Sequence, residues 1–411
     1  MASTQTSFVT TVTKPVPSKA RPDDADSKPH HATPGKVFKN PWPSFVYRPG
    51  RSIGLELVYR SWTGKAKKMV TEGHGIPVQK ATFLPSRHIK STDAGKDAAS
   101  SDGRLLSQDT IRATWLGHAC FYVEFPSGLR VLFDPVFEDR CSPVSWFGPR
   151  RFTEVPTTIA DIPFVDACFI SHAHYDHLSQ ATVLRLKEKH PNCHFFVGLG
   201  IKKFFTGLGI DKCTELDWWE DAELRVRSED TADKAAAAEI AAQVSCLPAQ
   251  HASNRGAFDE NHSLWASWAV CSGGKSVWFA GDTGYRAISA DIPEEARSKY
   301  TPELHRRFPC CPAFKQIGEL KGPFDLGLLP IGAYEPRLLF SSLHSNPYDS
   351  VNIFVDTRCR RALAMHWGTW DLATEEAVME PPEMLKEALR SKKLPETGVF
   401  DTCGIGESVE V

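Results

Sequence analysis

Ser171-His172-Ala173-His174-Tyr175-Asp176-His177-Leu178 follows directly on the apolar run Cys168-Phe169-Ile170. A short apolar run that closes on ligand-type side chains reads as a strand delivering a site at its end. In an extended segment alternate side chains point the same way, so His172 and His174 can reach one metal ion while the turn that follows presents Asp176 and His177 to a second. Chance alone yields the pattern His-x-His-x-acid-His on the order of 10⁻³ times in a chain with 15 histidines and 50 acidic residues among 411. A run of core or surface histidines is the plainer alternative, and that rarity argues against it.

Four adjacent side chains cannot surround two ions, so further ligands must come from other strand ends. His251 closes the apolar run 244–250. Asp282 follows the run 277–280 within Ala-Gly-Asp-Thr-Gly, and His366 follows 362–365 within His-Trp-Gly-Thr. Each alone would more often be an ordinary loop residue; their shared position after an apolar run is what favours a ligand role.

Working outward, strand-like runs occupy 111–116, 120–125, 131–133, 168–170, 194–197, 244–247, 267–271, 277–280, 326–331 and 362–365, with helix-like segments at 179–189 and 383–391. Strands first, then strands mixed with helices, predict an α+β chain of two sheets flanked by helices rather than a doubly wound parallel sheet. Residues 1–35 carry few large apolar side chains and are expected to be a disordered tail. Residues 36–104 read as an N-terminal arm packed over the main domain plus a polar linker at 91–103, and 105–411 as the catalytic domain. The Ala-rich segment 228–243 reads as an inserted surface helix or loop without chemistry.

The 41% hydrophobic and 24% charged content supports a large core and excludes global disorder. A formal net charge of −2 gives no general attraction to nucleic acid, so none is expected as a partner, and an anionic substrate must be held by local charges or metal. Eleven cysteines without a repeating framework fit free thiols in a reducing compartment, and the vicinal pair Cys310-Cys311 lacks the spacing of a metal motif. Lys14, Lys19 and Arg21 precede any acid, as in a mitochondrial presequence, yet Pro15 and Pro17 interrupt an amphipathic helix. The expected location is intracellular, cytoplasmic or at a membrane periphery, with mitochondria as the minority reading.

The order of motifs resembles the metallo-β-lactamase superfamily and, within it, the family of phospholipases D that hydrolyse N-acyl-phosphatidylethanolamine. The likeness rests on Asn40-Pro41-Trp42-Pro43, Trp115-Leu116-Gly117-His118-Ala119, Phe133-Asp134-Pro135, the His172–His177 motif, Gln250-His251 with Arg255-Gly256, Gly281-Asp282-Thr283-Gly284-Tyr285, Pro330-Ile331-Gly332-Ala333-Tyr334-Glu335-Pro336-Arg337 and His366-Trp367-Gly368-Thr369. It implies a four-layer αββα sandwich with an N-terminal arm and a cofactor of two zinc ions. His172, His174 and His251 would bind the first, Asp176, His177 and His366 the second, and Asp282 would bridge them. The implied nucleophile is a hydroxide shared by the ions, with Asp176 and His344 as catalytic residues.

The resemblance also makes Tyr175 and His344 substrate-facing. His344 would donate a proton to the leaving group or contact phosphate; an exposed loop histidine is the alternative. Asp134 would orient a ligating histidine, or else merely form a turn before Pro135, and His118 would line the site or pack there. Implied partners are a phospholipid substrate, a peripheral membrane surface met by the apolar arm, and a second copy in a homodimer. Two departures bear on substrate: Ala252 stands where the family is expected to carry Trp, and the segments near 228–243 and 310–315 lie outside the likeness. Hydrolysis of a soluble phosphodiester or a lactone on the same site is therefore the competing enzymatic reading. A non-catalytic metal-binding scaffold is disfavoured because all seven candidate ligands are present.

Overall fold

The computed structural model describes residues 8–67, 71, 73–85, 109–228, 239–256, 258–297, 301–372 and 374–411. Within them the chain forms two large mixed sheets with helices on their outer faces. The smaller, seven-stranded sheet runs Cys213–Leu216, His194–Gly198, Ala167–Phe169, Arg130–Phe133, Phe121–Glu124, Arg112–Trp115 and Ser408–Glu410 in spatial order. The larger, nine-stranded sheet runs Phe8–Val12, Glu220–Ser228, Glu239–Leu247, Ser267–Ser272, Lys275–Phe279, Phe324–Pro330, Cys359–Met365 and Phe400–Asp401, with Val16–Pro17 also paired to Glu220–Ser228. All ten runs read as strands from the sequence overlap strands here.

Period-two alternation in the parallel strands explains the layering. Phe133, Phe169 and Phe196 point between the sheets, while Leu132, Cys168 and Phe195 point to a second core under the helices Gln180–Lys189 and Lys202–Gly207. The inner phenylalanines stack: ring centroids lie 5.2 Å apart for Phe133–Phe169, 4.9 Å for Phe169–Phe196 and 4.8 Å for Phe133–Phe279. Phe279 belongs to the larger sheet, so this stack joins the two layers. Truncating Phe169 to Ala would cost roughly 3–5 kcal/mol as lost contact and cavity.

Helix ends follow local chemistry. Ser179 caps Gln180–Lys189 by accepting from Thr182 N, Val183 and Leu186 are buried on its inner face, and Lys187 and Lys189 sit in the last turn where the helix dipole favours cations. Asn346 caps Pro347–Asp356 in the same way, with Pro347 in the first turn, and that helix packs on the strands Phe324–Pro330 and Cys359–Met365.

The N-terminal segment departs from the expected disorder over 1–35. Positions 1–7 lie outside the described residues, but Phe8–Val12 forms an antiparallel edge strand with register Phe8↔Ser228 to Val12↔Leu224, and Thr10 Oγ1 donates to Asn192 O at 2.6 Å. An edge strand is held largely by its backbone bonds, which composition does not register. Further on, Asp217 accepts from His30 Nε2 (2.7 Å), His31 Nε2 (2.9 Å) and Lys28 Nζ (2.8 Å). His30 stacks on Trp218 at 4.3 Å, and Trp42 stacks on the same indole at 5.4 Å.

The arm is also only partly packed. Phe38 is buried, but Gly50–Trp62 is a helix whose Leu55, Val58, Tyr59 and Trp62 are exposed; only Arg60 is buried, through a bidentate pair with Glu375 at 2.7 and 2.8 Å. Apolar residues spread around a helix leave it without a single inner face, so composition overstated its packing. The Ala-rich stretch, expected as a surface helix or loop, is strand at both of its ends. Ser228 closes one strand and residues 239–243 open the next, paired Arg227↔Glu239, with Ile240, Ala242 and Val244 buried and Ala241 and Gln243 exposed. Small alanines had masked that alternation. Residues 229–238, the linker 91–103 and the expected domain start at 105 lie outside the described residues.

Candidate metal centre

The candidate ligands gather where strands of both sheets end. Ala167–Phe169 leads into the His172–His177 turn, Glu239–Leu247 into His251, Lys275–Phe279 into Asp282 and Cys359–Met365 into His366. Gly281 allows this approach: its φ is +61°, and a Cβ there would fall 2.6 Å from Ser171 Cβ. His118, Asp134 and His366 also adopt left-handed backbone, with φ of 52°, 38° and 62°. Such conformations in non-glycine residues cost of order 1–3 kcal/mol each and are held by surrounding structure at functional sites.

The seven predicted ligands converge in two groups. His174 Nδ1 lies 2.7 Å from His172 Nε2 and 3.4 Å from His251 Nε2. In the second group His177 Nε2 lies 3.3 Å from His366 Nε2 and 3.4 Å from Asp176 Oδ2, and His366 Nε2 is 3.7 Å from the same oxygen. Asp282 stands between them. Its Oδ2 is 3.6 Å from His251 Nε2 and 4.0 Å from His172 Nε2, while Oδ1 is 2.9 Å from His366 Nε2 and 3.2 Å from His177 Nε2.

Those donors fit a pair of cations better than a hydrogen-bond network. Asp282 Oδ1 is buried and has no hydrogen-bond partner among the described residues, although two histidine nitrogens lie within 3.2 Å of it. Nitrogens and a carboxylate oxygen converging without hydrogen-bond alignment is what a shared ion requires. The histidine-rich set with carboxylates suits a borderline divalent ion.

Electrostatics agrees. Burial, with neighbouring histidines, holds His172 and His251 well below the usual imidazole range, in the neutral form that binds metal. Burial alone would raise the Asp176 and Asp282 carboxyls, but the charge of His177, with the His118 hydrogen bond on Asp176 and the charge of His366 beside Asp282, holds both well below the ordinary carboxylate range. Burial likewise opposes charge on His366, yet the Asp282 and Asp176 carboxylates outweigh it and push that imidazole up to about 9.

The surrounding groups hydrogen-bond the candidate ligands. Asp134 Oδ2 lies 2.6 Å from His177 Nδ1, and Asp134 Oδ1 accepts from Ser171 N at 2.7 Å. His118 Nε2 is 2.9 Å from Asp176 Oδ2. His344 stands on the Asp282 side, its Nδ1 3.8 Å from Oδ2 and its carbonyl accepting from Arg337 Nη1 at 3.0 Å. Tyr175 is half-buried under the Arg255 guanidinium at 4.2 Å, and Arg255 Nη1 donates to Ala173 O and Leu178 O at 3.0 and 2.7 Å, fixing the motif turn.

Reading residues one at a time had missed Ser171, Asn254 and Arg337. Ser171 Oγ holds His172 Nδ1 at 2.8 Å and Asn254 Oδ1 holds His174 Nε2 at 2.8 Å. Ser171 and Arg337 sit inside quoted motifs, which was the signal available for them; Asn254 carried none.

Comparison with known proteins then places the chain. The beta-lactamase superfamily domain matches residues 129–367. This chain belongs to the metallo-β-lactamase superfamily. It is 34% identical over 91% of its length, and 92% of the relative, to N-acyl-phosphatidylethanolamine-hydrolyzing phospholipase D 1 of Caenorhabditis elegans. It is 33% identical over 85% of its length, and 70% of the relative, to the mitochondrial protein of the same activity name from Saccharomyces cerevisiae. Among solved structures, Igni18, a metallo hydrolase of Ignicoccus hospitalis, is 21% identical with a TM-score of 0.47, covering 74% of this chain and 98% of its own. As a member of that superfamily the chain is a metal-dependent hydrolase with an α+β sandwich.

Proposed function

We propose that this metallo-β-lactamase superfamily hydrolase is a zinc-dependent phosphodiesterase of phospholipase D type, cleaving N-acyl-phosphatidylethanolamine to an N-acylethanolamine and phosphatidic acid. The observation that carries the reading is the Asp282 carboxylate, one oxygen turned to the His172, His174 and His251 group and the other to the His177 and His366 group with Asp176 beside it. Two divalent ions held by these side chains would supply an activated water at neutral pH and polarise a phosphodiester oxygen. The protein's own part is to bind, orient and exclude. Asp134, Ser171, Asn254 and His118 fix the ligand side chains, so little reorganisation accompanies reaction. His344, held through its carbonyl by Arg337, is placed to reach a phosphate oxygen or the leaving oxygen.

A lipid substrate is supported by the names of the two relatives and by the exposed apolar side chains of the Gly50–Trp62 helix, which suit peripheral contact with a bilayer. No helix among the described residues is long and apolar enough to cross a membrane. Ala252 in place of an expected tryptophan favours the second reading, a soluble phosphodiester or lactone substrate. The deciding experiment pairs metal analysis of the purified protein with mass spectrometry of products from N-acylated phospholipid, soluble phosphodiesters and lactones, each with and without chelator. Chelator-sensitive release of intact N-acylethanolamine with phosphatidic acid is expected. Turnover of only the soluble substrates would overturn the lipid assignment.

A further inference from the structure

Ligating histidines almost always have their second ring nitrogen held by a carboxylate, a carbonyl or water. Four of the five candidate histidines have a protein partner at that nitrogen: His172 the Ser171 hydroxyl, His174 the Asn254 amide oxygen, His177 the Asp134 carboxylate, and His251 Nδ1 the Leu343 carbonyl at 2.9 Å. His366 differs. Its Nε2 is turned to Asp282, and its buried Nδ1 has no hydrogen-bond partner among the described residues.

His366 is among the walls of a small, partly open pocket with about 20 Å³ of room for water. His366, His118, Trp367, Trp370 and Glu376 are among its walls. Both indole Nε1 atoms, of Trp367 and Trp370, are buried without a partner as well. Glu376 is the wall's carboxylate, and it is fixed in place: Ala333 N donates to Oε1 at 2.6 Å, Glu335 N to Oε2 at 3.1 Å and Thr374 Oγ1 to Oε1 at 3.2 Å. Three nitrogens without partners among the described residues, and an oriented carboxylate, thus belong to side chains that line one small space, and a buried water needs 2–4 such partners.

We infer that this cavity is a built water site and that Glu376 acts through that water as a positioning residue for His366. The water accepts from His366 Nδ1–H and donates to the Glu376 carboxylate. Holding the proton on Nδ1 leaves Nε2 unprotonated and aimed at the ion. This rests on the two-metal reading and extends it to a residue 10 positions beyond the ligand, whose hydrogen bonds go to Ala333, Glu335 and Thr374.

The test loads metal-free wild type, Glu376→Gln and Glu376→Met with zinc against a chromogenic chelator, and follows the His366 ring nitrogens by ¹⁵N NMR. Glu376→Gln keeps an acceptor oxygen and should stay within about threefold of wild type, whereas Glu376→Met should lose about 10–100-fold in affinity at one of the two sites only. The His366 Nδ1 proton should be resolved and slowly exchanging in wild type and should exchange faster in Glu376→Met. A loss of fold would move both sites together, so the one-site effect separates positioning from stability. A high-resolution crystal structure of the loaded wild type supplies the check that needs no variant: one water bonded to both His366 Nδ1 and Glu376. Unchanged affinity at both sites in Glu376→Met, or a dry cavity, overturns the inference and leaves the metal reading intact. Failure of wild type to take up metal overturns both.

Discussion

Asp134 Oδ2 lies 2.6 Å from His177 Nδ1, with both side chains fully buried. A carboxylate in that position fixes the ring and its tautomer and makes the far nitrogen a better ligand. Asp134→Ala should therefore weaken metal binding about 10–100-fold at the site served by His177, with a smaller loss in Asp134→Asn, as measured by competition with a chelator dye. Because Ser171 N and Oγ also donate to Asp134, the Ala variant should lose stability too, about 1–3 kcal/mol for each donor left buried.

Asp282 is the side chain that faces both ligand groups, so its loss should be felt at both. Metal content per chain should fall below that of wild type in Asp282→Ala, and kcat should fall at least about a hundredfold, because neither ion keeps its shared carboxylate. Elemental analysis alongside steady-state turnover reads this out. Full activity in Asp282→Ala would remove the bridging role.

The metal-free centre holds a proton that the ion must displace. Burial disfavours charge on His366, but its carboxylate neighbours push it up to about 9, so at pH 7 the ring is protonated before loading and neutral after. His177, beside Asp282, Asp176 and Asp134, is likewise held well above the ordinary imidazole range, so metal binding at pH 7 should release protons from both rings, and the His366 share should fade as the pH rises through about 9. Calorimetric titration with zinc in two buffers of different ionisation enthalpy measures it directly. Removing the ions should also lower the melting temperature, since free metal at a hundred times Kd contributes about 2.7 kcal/mol per site.

The sequence carried more of the site than of the fold's periphery, for physical reasons. His172 to His177 announced themselves because metal chemistry demands particular side chains at close spacing, and His251, Asp282 and His366 stood just after short apolar runs that read as strands. By contrast, Phe8–Val12 is held to the larger sheet mainly through backbone bonds, and Ile240-Ala241-Ala242 alternates with side chains too small to show a period. The second nitrogens of His172 and His174 are served by Ser171 and Asn254, common polar residues whose role depends on placement alone. Asp217, gathering Lys28, His30 and His31 from nearly two hundred residues away, was likewise invisible until the chain was folded.

His194, away from the metal centre, gives a pH signature of its own. Burial chiefly, with Lys212 and Lys202 nearby, pushes its imidazole down to about 4, and it hydrogen-bonds Thr214 Oγ1 at 2.8 Å. The unfolded chain, with an ordinary value near 6.5, binds the proton first as pH falls, so folding stability drops between pH 6.5 and about 4. By pH 5 the loss from this group is about 2 kcal/mol, at 1.36 kcal/mol per pH unit. His194→Gln should flatten that part of the profile. Urea midpoints of both proteins at pH 7 and pH 5 decide it: an equal acid shift in the two would assign the loss to other groups.

The Gly50–Trp62 helix exposes Leu55, Val58, Tyr59 and Trp62 while its buried Arg60 ties it to Glu375. Water gains nothing from such a surface, but a bilayer interface does: each large apolar side chain that leaves water contributes roughly 1.5–3 kcal/mol, and Trp and Tyr favour the headgroup level. Leu55→Ser and Trp62→Ser should each weaken binding to phospholipid vesicles about tenfold or more, and the double variant should do so nearly additively. Turnover of a short-chain, water-soluble phosphodiester should stay unchanged, because neither residue touches the metal centre. Cosedimentation with vesicles and the soluble assay must therefore part company. If vesicle binding survives both substitutions, lipid contact lies elsewhere on the molecule and this helix faces another protein surface or none.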